Sequence, residues 1–291
     1  MHRRNWKKRA MGICFVFILC MGIFTGCEKA VAEVNEDQLK VTLFRVGKAD
    51  AIVLETGGRA LIIDGGEEED GEEVVDYLKQ QHISEVDALI ITHYDHDHVG
   101  GADTVVETLN VKEVFVPAYE GSNVEYVDFM RALEKKKIQP KPLTSAVTFS
   151  FGNAQVEVDP PSTYQVDYEK AEMDNNFSLI TTVTHGKNKL LFMGDAEKWR
   201  IRDWLDQERT PQCDFLKVPH HGVYNKALGE LVEAVQPKEA VICSSNKNPA
   251  DPQTLELLKE TNMQVFQTKD GNVTVLSDGI KLEMDQQLEE E

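Results

Sequence analysis

The densest chemistry in the 291-residue chain lies in one short stretch, Thr92-His93-Tyr94-Asp95-His96-Asp97-His98-Val99-Gly100-Gly101. Five of the six residues from His93 to His98 are imidazoles or carboxylates, and the stretch follows directly on the apolar run ALIIT. In an extended turn, positions 93, 95 and 97 face one side, because side chains alternate at period two. His98 can then point inward where a helix begins. A mixed imidazole and carboxylate set suits zinc, manganese or iron better than calcium or copper. Such a stretch makes one wall of a site, and partners stand after other apolar runs. Asp195 follows LLFMG, where a carboxylate could bridge two metals; His220-His221 follow LKVP; Asp64 follows ALII, ahead of Gly65-Gly66. Asp64 could accept the second ring proton of a ligating histidine.

The elements that must position these groups read as two β-rich halves. LKVTLFRV, AIVLET and RALIID are β-type runs separated by glycine-containing turns. VVDYLKQQ reads as a helix whose first turn is favoured by the preceding acidic EEEDGEE. DALIIT is uniformly apolar, as expected of a strand buried on both faces. A strand (KEVFVP), an amphipathic helix over about 123–137 and the pair VTFSF and AQVEVD around Gly152 follow. The second half repeats the order: FSLITTVTH and KLLFMGD as a hairpin, EKWRIRDWL as a helix, CDFLKV as a strand, ALGELVEAV as a helix, then AVICSS, TLELLKE, QVFQT and a closing hairpin at Asp278-Gly279. Strands followed by strand–helix alternation, occurring twice, imply an α/β fold of two sheets back to back with helices outside. His185, in THGKNK, reads as a surface turn residue, and Cys213 and Cys243, each beside an apolar run, read as buried thiols.

IDGG, HYDHDHVGG, MGD and PHHG, with the early VGKADA, together resemble the metallo-β-lactamase superfamily, and within it the hydrolase domain of ComEC-type competence proteins and phosphorylcholine esterase. The likeness runs in order through residues of about 40–280. It implies an αββα sandwich, two central mixed sheets flanked by helices, with a dinuclear metal site at one edge. Carried over position by position, His93 and Asp95 hold one metal, Asp97 and His98 the other, and Asp195 bridges. One of His220 and His221 completes the site while the other faces substrate; the working assignment takes His220 as ligand and His221, with Asp97, as catalytic. The superfamily's usual His-x-His-x-Asp-His has Asp95 in place of its second His, and no histidine lies between His98 and His185. Asn175 or Asn176 is expected near the gap so left. Where the subgroup often has Gly-His-Pro, this chain reads Ala250-Asp251-Pro252, which makes Asp251 a candidate oxygen ligand.

Residues 1–27 have the layout of a secretory signal: Arg3, Arg4, Lys7, Lys8 and Arg9, then an uncharged run of 17 residues from Ala10 to Gly26, then Cys27. Phe24-Thr25-Gly26-Cys27 resembles a bacterial lipobox, in which the cysteine is acylated; an uncleaved signal anchor is the other reading. Either places the body on the extracytoplasmic face of a membrane. A polar tether over residues 28–38, a hydrolase domain over 39–285 and an acidic tail over 286–291 complete the expected organisation. The net charge is −19, and with five basic residues in the first 27, the remainder holds 26 basic against 50 acidic residues. A body that acidic repels polyanions and excludes broad nucleic-acid coating.

The expected chemistry is hydrolysis by metal-bound hydroxide with two divalent ions, zinc or manganese. Asp97 would orient the water and His221 would stabilise charge or protonate the leaving group. The oxygen-rich ligand set favours a phosphodiester, either a small molecule or an oligonucleotide. A carboxylic-ester or lactone hydrolase, and a catalytically degenerate surface binding module, are the competing classes.

Overall fold

A computed structural model describes residues 34–165, 173–207 and 212–288. The signal-like segment, the first part of the tether and the last three residues of the tail lie outside them. The first half comprises β1 (Leu39–Leu43), β2 (Ala51–Thr56), β3 (Arg59–Gly65), α1 (Asp70–Gln80), β4 (Glu85–Ile90), α2 (His96–Val99), α3 (Ala102–Thr108), β5 (Asn110–Pro117), α4 (Val124–Lys136) and β6 (Lys141–Leu143). The second comprises β7 (Val147–Phe151), β8 (Ala154–Asp159), α5 (Met173–Asn176), β9 (Ile180–His185), β10 (Asn188–Phe192), α6 (Lys198–Leu205), β11 (Phe215–Lys217), α7 (Ala227–Val235), β12 (Glu239–Ile242), α8 (Pro252–Glu260), β13 (Gln264–Gln267), β14 (Val273–Ser277) and β15 (Leu282–Gln286).

These strands form two mixed sheets, an eight-stranded one ordered β15-β14-β1-β2-β3-β4-β5-β6 and a seven-stranded one ordered β13-β12-β11-β10-β9-β8-β7. Period-two burial explains the layering. Along β3, Ile62 packs outward with Val74, Leu78, Val105 and Phe129, while Ile63 packs inward against the other sheet. Along β10, Leu190 faces the inter-sheet core and Leu191 faces Ile201, Leu228 and Leu258. Three apolar layers result, helix on sheet, sheet on sheet and sheet on helix, which is the αββα sandwich expected. Each such fully buried side chain contributes about 1.5–3 kcal/mol of transfer free energy.

Parallel pairing sets the site. β3, β4 and β5 run parallel in the first sheet, as do β10, β11 and β12 in the second. Loops at the carboxyl ends of parallel strands are where α/β sheets present ligands. Asp64, the 92–98 stretch, Asp195 and His220-His221 all occupy such ends.

Some placements differ from expectation. His185 is buried rather than on the surface, because β14 crosses back to the first sheet and sets the hydroxyl of Ser277 2.8 Å from His185 Nδ1. The end of the tether folds onto the domain: Gly57 N donates to Val34 O at 3.1 Å and Asn153 Nδ2 to Glu36 O at 3.0 Å. Gln286, read as tail, still pairs within β15. Cys213 and Cys243 are buried and are not joined in a disulfide. Among the described residues no helix is long and apolar enough to cross a membrane.

Candidate metal centre

Asp64 organises the centre from the end of β3, where it sits at a positive φ of 59°. Its Oδ1 accepts from Thr92 N at 2.7 Å, its Oδ2 accepts from Thr92 Oγ1 at 2.7 Å, and Oδ2 lies 2.8 Å from His98 Nδ1. The Thr92 hydroxyl proton is spent on Asp64, so Thr92 Oγ1 accepts from His93 Nδ1 at 3.0 Å. Both rings are thereby held through Nδ1, which leaves their Nε2 atoms for the site. α2 begins immediately afterwards, and its single turn buries Asp97 and His98 while leaving the His96 side chain 64% exposed.

The second half supplies the facing wall. Asp195 follows Gly194, whose positive φ brings it so close to the loop that a Cβ there would lie 3.0 Å from Thr92 Cβ. His220 and His221 both have positive φ, 47° and 50°, a conformation costing of order 1–3 kcal/mol each that only a well-determined surrounding sustains. Asp251 helps sustain it: Oδ2 accepts from Tyr224 N at 2.9 Å and its own N donates to Gly222 O at 3.1 Å. His221 Nδ1 donates to Cys243 O at 3.1 Å, which again leaves Nε2 free.

Asp97, His98, Asp195 and His221 converge, with one ligand-type atom from each lying within 4.8 Å of the others, all buried. His221 Nε2 is 3.1 Å from Asp195 Oδ2, 3.4 Å from Asp97 Oδ2 and 3.3 Å from His98 Nε2; His98 Nε2 is 3.2 Å from Asp195 Oδ1. Four ligands at zinc-type bond lengths around one tetrahedral ion are about 3.4 Å apart. The set therefore fits a divalent ion in donor type and in spacing. His93 Nε2, Asp50 Oδ1 and Asp195 Oδ1 are buried without a hydrogen-bond partner, as atoms meant for a cation would be. Burial opposes charge on His98, yet Asp195 and Asp64 hold its pKa well above the ordinary value. Burial likewise opposes the Asp195 carboxylate, and His221, His98 and Lys217 hold it well below the usual range.

The expected residues separate into three groups. Asp97, His98, Asp195 and His221 form the compact cluster, with Asp64 beneath it. His93 and Asp95 stand beside it, with Asp95 Oδ2 3.6 Å from His93 Nε2. His220, Asn176 and Asp251 do not enter the cluster. His220 Nδ1 pairs with Glu197 Oε1 at 3.2 Å and its Nε2 lies 3.9 Å from Asp195 Oδ2, at the mouth of the site. His221, rather than His220, therefore has its Nε2 in the cluster, and the Cys243 carbonyl draws its ring inward. Asn176 Oδ1 accepts from Arg200 N at 3.0 Å at the start of α6, and Asp251 is engaged with backbone as described.

Sequence reasoning missed two residues of the site. Asp50, in VGKADA, and Lys217, in LKVPHHG, form a buried ion pair under the cluster. Lys217 Nζ also donates to Gly194 O at 3.0 Å and lies 3.5 Å from Asp195 Oδ1. The available signal was a charged residue bordering or inside an apolar strand, Asp50 ahead of AIVL and Lys217 within FLKV. Nearby in α5, burial and the Asp95 carboxylate push the Asp174 carboxyl up from its ordinary value.

A two-sheet α/β sandwich carrying a mixed histidine and aspartate cluster at its strand ends defines a metal-binding class of fold. The sequence pattern of the metallo-β-lactamase superfamily matches residues 45–245, and the chain belongs to that superfamily. Among curated proteins it is similar to ComE operon protein 3 of Bacillus subtilis, 26% identical over 209 residues that cover 70% of this chain and 26% of that protein. It is also similar to Recombination protein 2 of Haemophilus influenzae, 24% identical over 239 residues that cover 80% of this chain and 27% of that protein. The chain thus spans about a quarter of the length of these relatives. Among solved structures, the metallo-β-lactamase fold protein YhfI of Bacillus subtilis superposes with a TM-score of 0.53 at 12% identity, covering 79% of this chain and 96% of that one. CmlA, a diiron β-hydroxylase from Streptomyces venezuelae, superposes with a TM-score of 0.52 at 14% identity, covering 81% of this chain and 53% of that one. At these identities the two superpositions speak for the fold alone.

Proposed function

We propose that the protein is an exported, lipid-anchored phosphodiesterase that works with two divalent metal ions. The observation that carries this reading is the convergence of Asp97, His98, Asp195 and His221, all buried, at the ends of parallel strands. A divalent metal held by these four residues would supply water of lowered pKa, toward about 7, and an electrophile for a phosphoryl oxygen. The chain's own groups do the rest. Asp64 fixes the tautomer and direction of His98, Cys243 O does the same for His221, and Lys217 with Asp50 holds the Asp195 segment from below. Asp97, 3.4 Å from His221 Nε2, is placed to orient an attacking water. His220, rather than His221, is the histidine that faces incoming substrate.

A cleft of about 540 Å³ runs from His220 and Asn176 past Glu197, Lys198, Trp199 and Arg202 to Tyr224. Lys198 with the aromatic rings of Trp199 and Tyr224 suits a small anionic diester or a short oligonucleotide, while Arg202 is held by Glu230. The acidic body argues against a long polyanion. A relative named for recombination supports a nucleotide phosphodiester. Export and anchoring rest on the basic and apolar N-terminal segment ending in Cys27.

The test is elemental analysis of the purified full chain together with hydrolysis of bis(p-nitrophenyl) phosphate in added zinc or manganese. Two metals per chain, and turnover that falls to background in Asp195→Asn, are expected. Metal without diester turnover but with lactone cleavage would assign the chain to carboxylic esters instead. Absence of both metal and turnover would overturn the enzyme reading.

A further inference from the structure

Two walls bound the cleft beside the metal centre, and each carries an aromatic ring. Trp199 stands on the first turn of α6, and Tyr224 stands on the loop that follows His220-His221. His220 belongs both to the cleft and to the mouth of the centre, with its Nε2 3.9 Å from Asp195 Oδ2. The cleft therefore opens onto the place where a phosphodiester would be cut. Its volume of about 540 Å³ lies within the range of about 300–1,000 Å³ usual for small-molecule sites.

Both walls are held from behind. Val223 N donates to His220 O at 2.8 Å, Tyr224 N to Asp251 Oδ2 at 2.9 Å and Leu228 N to Asn225 O at 3.1 Å, so the loop is bonded on either side of the Tyr224 side chain. On the other wall Arg200, next to Trp199, is buried; its backbone N donates to Asn176 Oδ1 at 3.0 Å and its Nε to Ser178 O at 2.9 Å. Val223 and Tyr224 nevertheless remain 37% and 38% exposed at the rim. Apolar surface on a fixed backbone gains from a ligand that covers it, and little further order is lost when it does.

The charges of the cleft choose between the ligands an aromatic pair can hold, a quaternary ammonium by cation–π attraction or a flat ring by stacking. Among the described residues Glu197 is the one carboxylate of the lining, and it is engaged by His220 Nδ1 at 3.2 Å and by Asn175 Nδ2 at 3.1 Å. Lys198 lies beside it. A cationic headgroup would compete with His220 and Asn175 for Glu197 and would meet the Lys198 ammonium. A flat neutral ring joined to an anionic phosphate meets neither obstacle.

We propose that Trp199 and Tyr224 form a stacking subsite for a nucleobase, so that the diester cut beside it is that of a nucleotide. This rests on the phosphodiesterase reading above and deepens it by naming the residues that select the base. Stacking reads the face of a ring and not its edge, so purines, with the larger face, are favoured over pyrimidines.

The experiment is isothermal titration of the full chain, purified in detergent and supplied with manganese, with adenosine 5′-monophosphate and separately with ribose 5-phosphate, which carries the same phosphate without the base. Wild type is expected to bind the nucleotide at least about tenfold more tightly than the sugar phosphate. Trp199→Ala and Tyr224→Ala should each lower that ratio at least about fivefold, the lower end of what one lost base–aromatic stack costs, while ribose 5-phosphate binds as before. Trp199→Phe and Tyr224→Phe, which keep a ring, should restore most of it. If Trp199→Ala fails to fold, Tyr224→Ala, altered at an exposed side chain, decides by the same ratio. No base-dependent binding in wild type, or a ratio unchanged in both alanine variants, would overturn the subsite, and so would phosphocholine binding more tightly than the nucleotide. Base-dependent binding that is lost in the alanine variants, without hydrolysis of bis(p-nitrophenyl) phosphate, would overturn the phosphodiesterase reading and leave the subsite standing. Hydrolysis without base-dependent binding would do the reverse.

Discussion

At the scale of single residues, the groups that hold the ligands are as informative as the ligands. Asp64 sets the direction of His98 through a 2.8 Å contact and receives both donors of Thr92. Removing such a supporting carboxylate commonly costs 10–100-fold in metal affinity. Asp64→Asn is therefore expected to weaken metal binding by about that factor while the chain stays folded, as isothermal titration would show; unchanged affinity would remove Asp64 from this role. Lys217 is a different case, because it is a fully buried cation between Asp50 and Asp195. Replacing it with methionine strands two buried carboxylates, and breaking a buried pair from one side costs about 3–5 kcal/mol. Urea unfolding of the metal-free Lys217→Met variant should show a loss of that size. A loss below about 1 kcal/mol would mean that the pair is solvated.

At the scale of elements, close backbone approach fixes where the loop can sit. The amino end of α3 crosses α1 and the end of β3 at Gly101, Gly71 and Gly65. A Cβ on Gly101 would lie 2.4 Å from Gly65 O and from Gly71 N, both backbone atoms that cannot yield locally. Gly101→Ala should therefore destabilise the fold by about 1–3 kcal/mol and weaken metal binding by displacing His98, three residues upstream. Gly229 in α7 is the contrast, since its Cβ would meet only Leu257 Cδ1 at 3.9 Å. Alanine there relieves a helix-interior glycine, and Gly229→Ala should raise stability by about 0.5–1 kcal/mol. Thermal melts of the two variants should move in opposite directions. α6 shows another unforeseen anchor: buried Arg200 bonds Ser178 O at 2.9 Å, Asp159 Oδ1 at 2.8 Å and Asp203 Oδ2 at 2.9 Å, linking the helix to β8 and to the segment before Asp195.

At the scale of the whole molecule, the chain closes by returning β14 and β15 to the first sheet after the second is complete. His185 bears on that closure, since its Nδ1 meets Ser277 and a Cβ on Gly186 would strike the backbone of Gly279. Burial lowers the His185 pKa below its ordinary value of 6.5. The folded chain therefore resists a proton that the unfolded chain accepts, so stability is complete above pH 6.5 and declines as the pH falls from there toward the lowered value. In His185→Gln this part of the acid loss should vanish. The drop in melting temperature between neutral and mildly acidic buffer should be smaller in the variant than in wild type, with the metal-site histidines common to both. Equal drops would show that His185 titrates normally.

The strands, their order of burial and four of the strand-end motifs were legible in the sequence, because period-two apolar runs and terminal His and Asp residues are local patterns. So was α4 over Val124–Lys136, capped by Asn123. What lay beyond local pattern was decided by tertiary contact. Which of two adjacent histidines turns inward depends on the Cys243 carbonyl, 22 residues further on. Whether Asp251 serves the metal or the backbone depends on where Tyr224 N lies. Asp50 and Lys217 became site residues only when the two sheets were brought together. A sequence records the type of each side chain and its local period; the direction in which a side chain is satisfied is set by groups far away along the chain, and only the packed fold determines it.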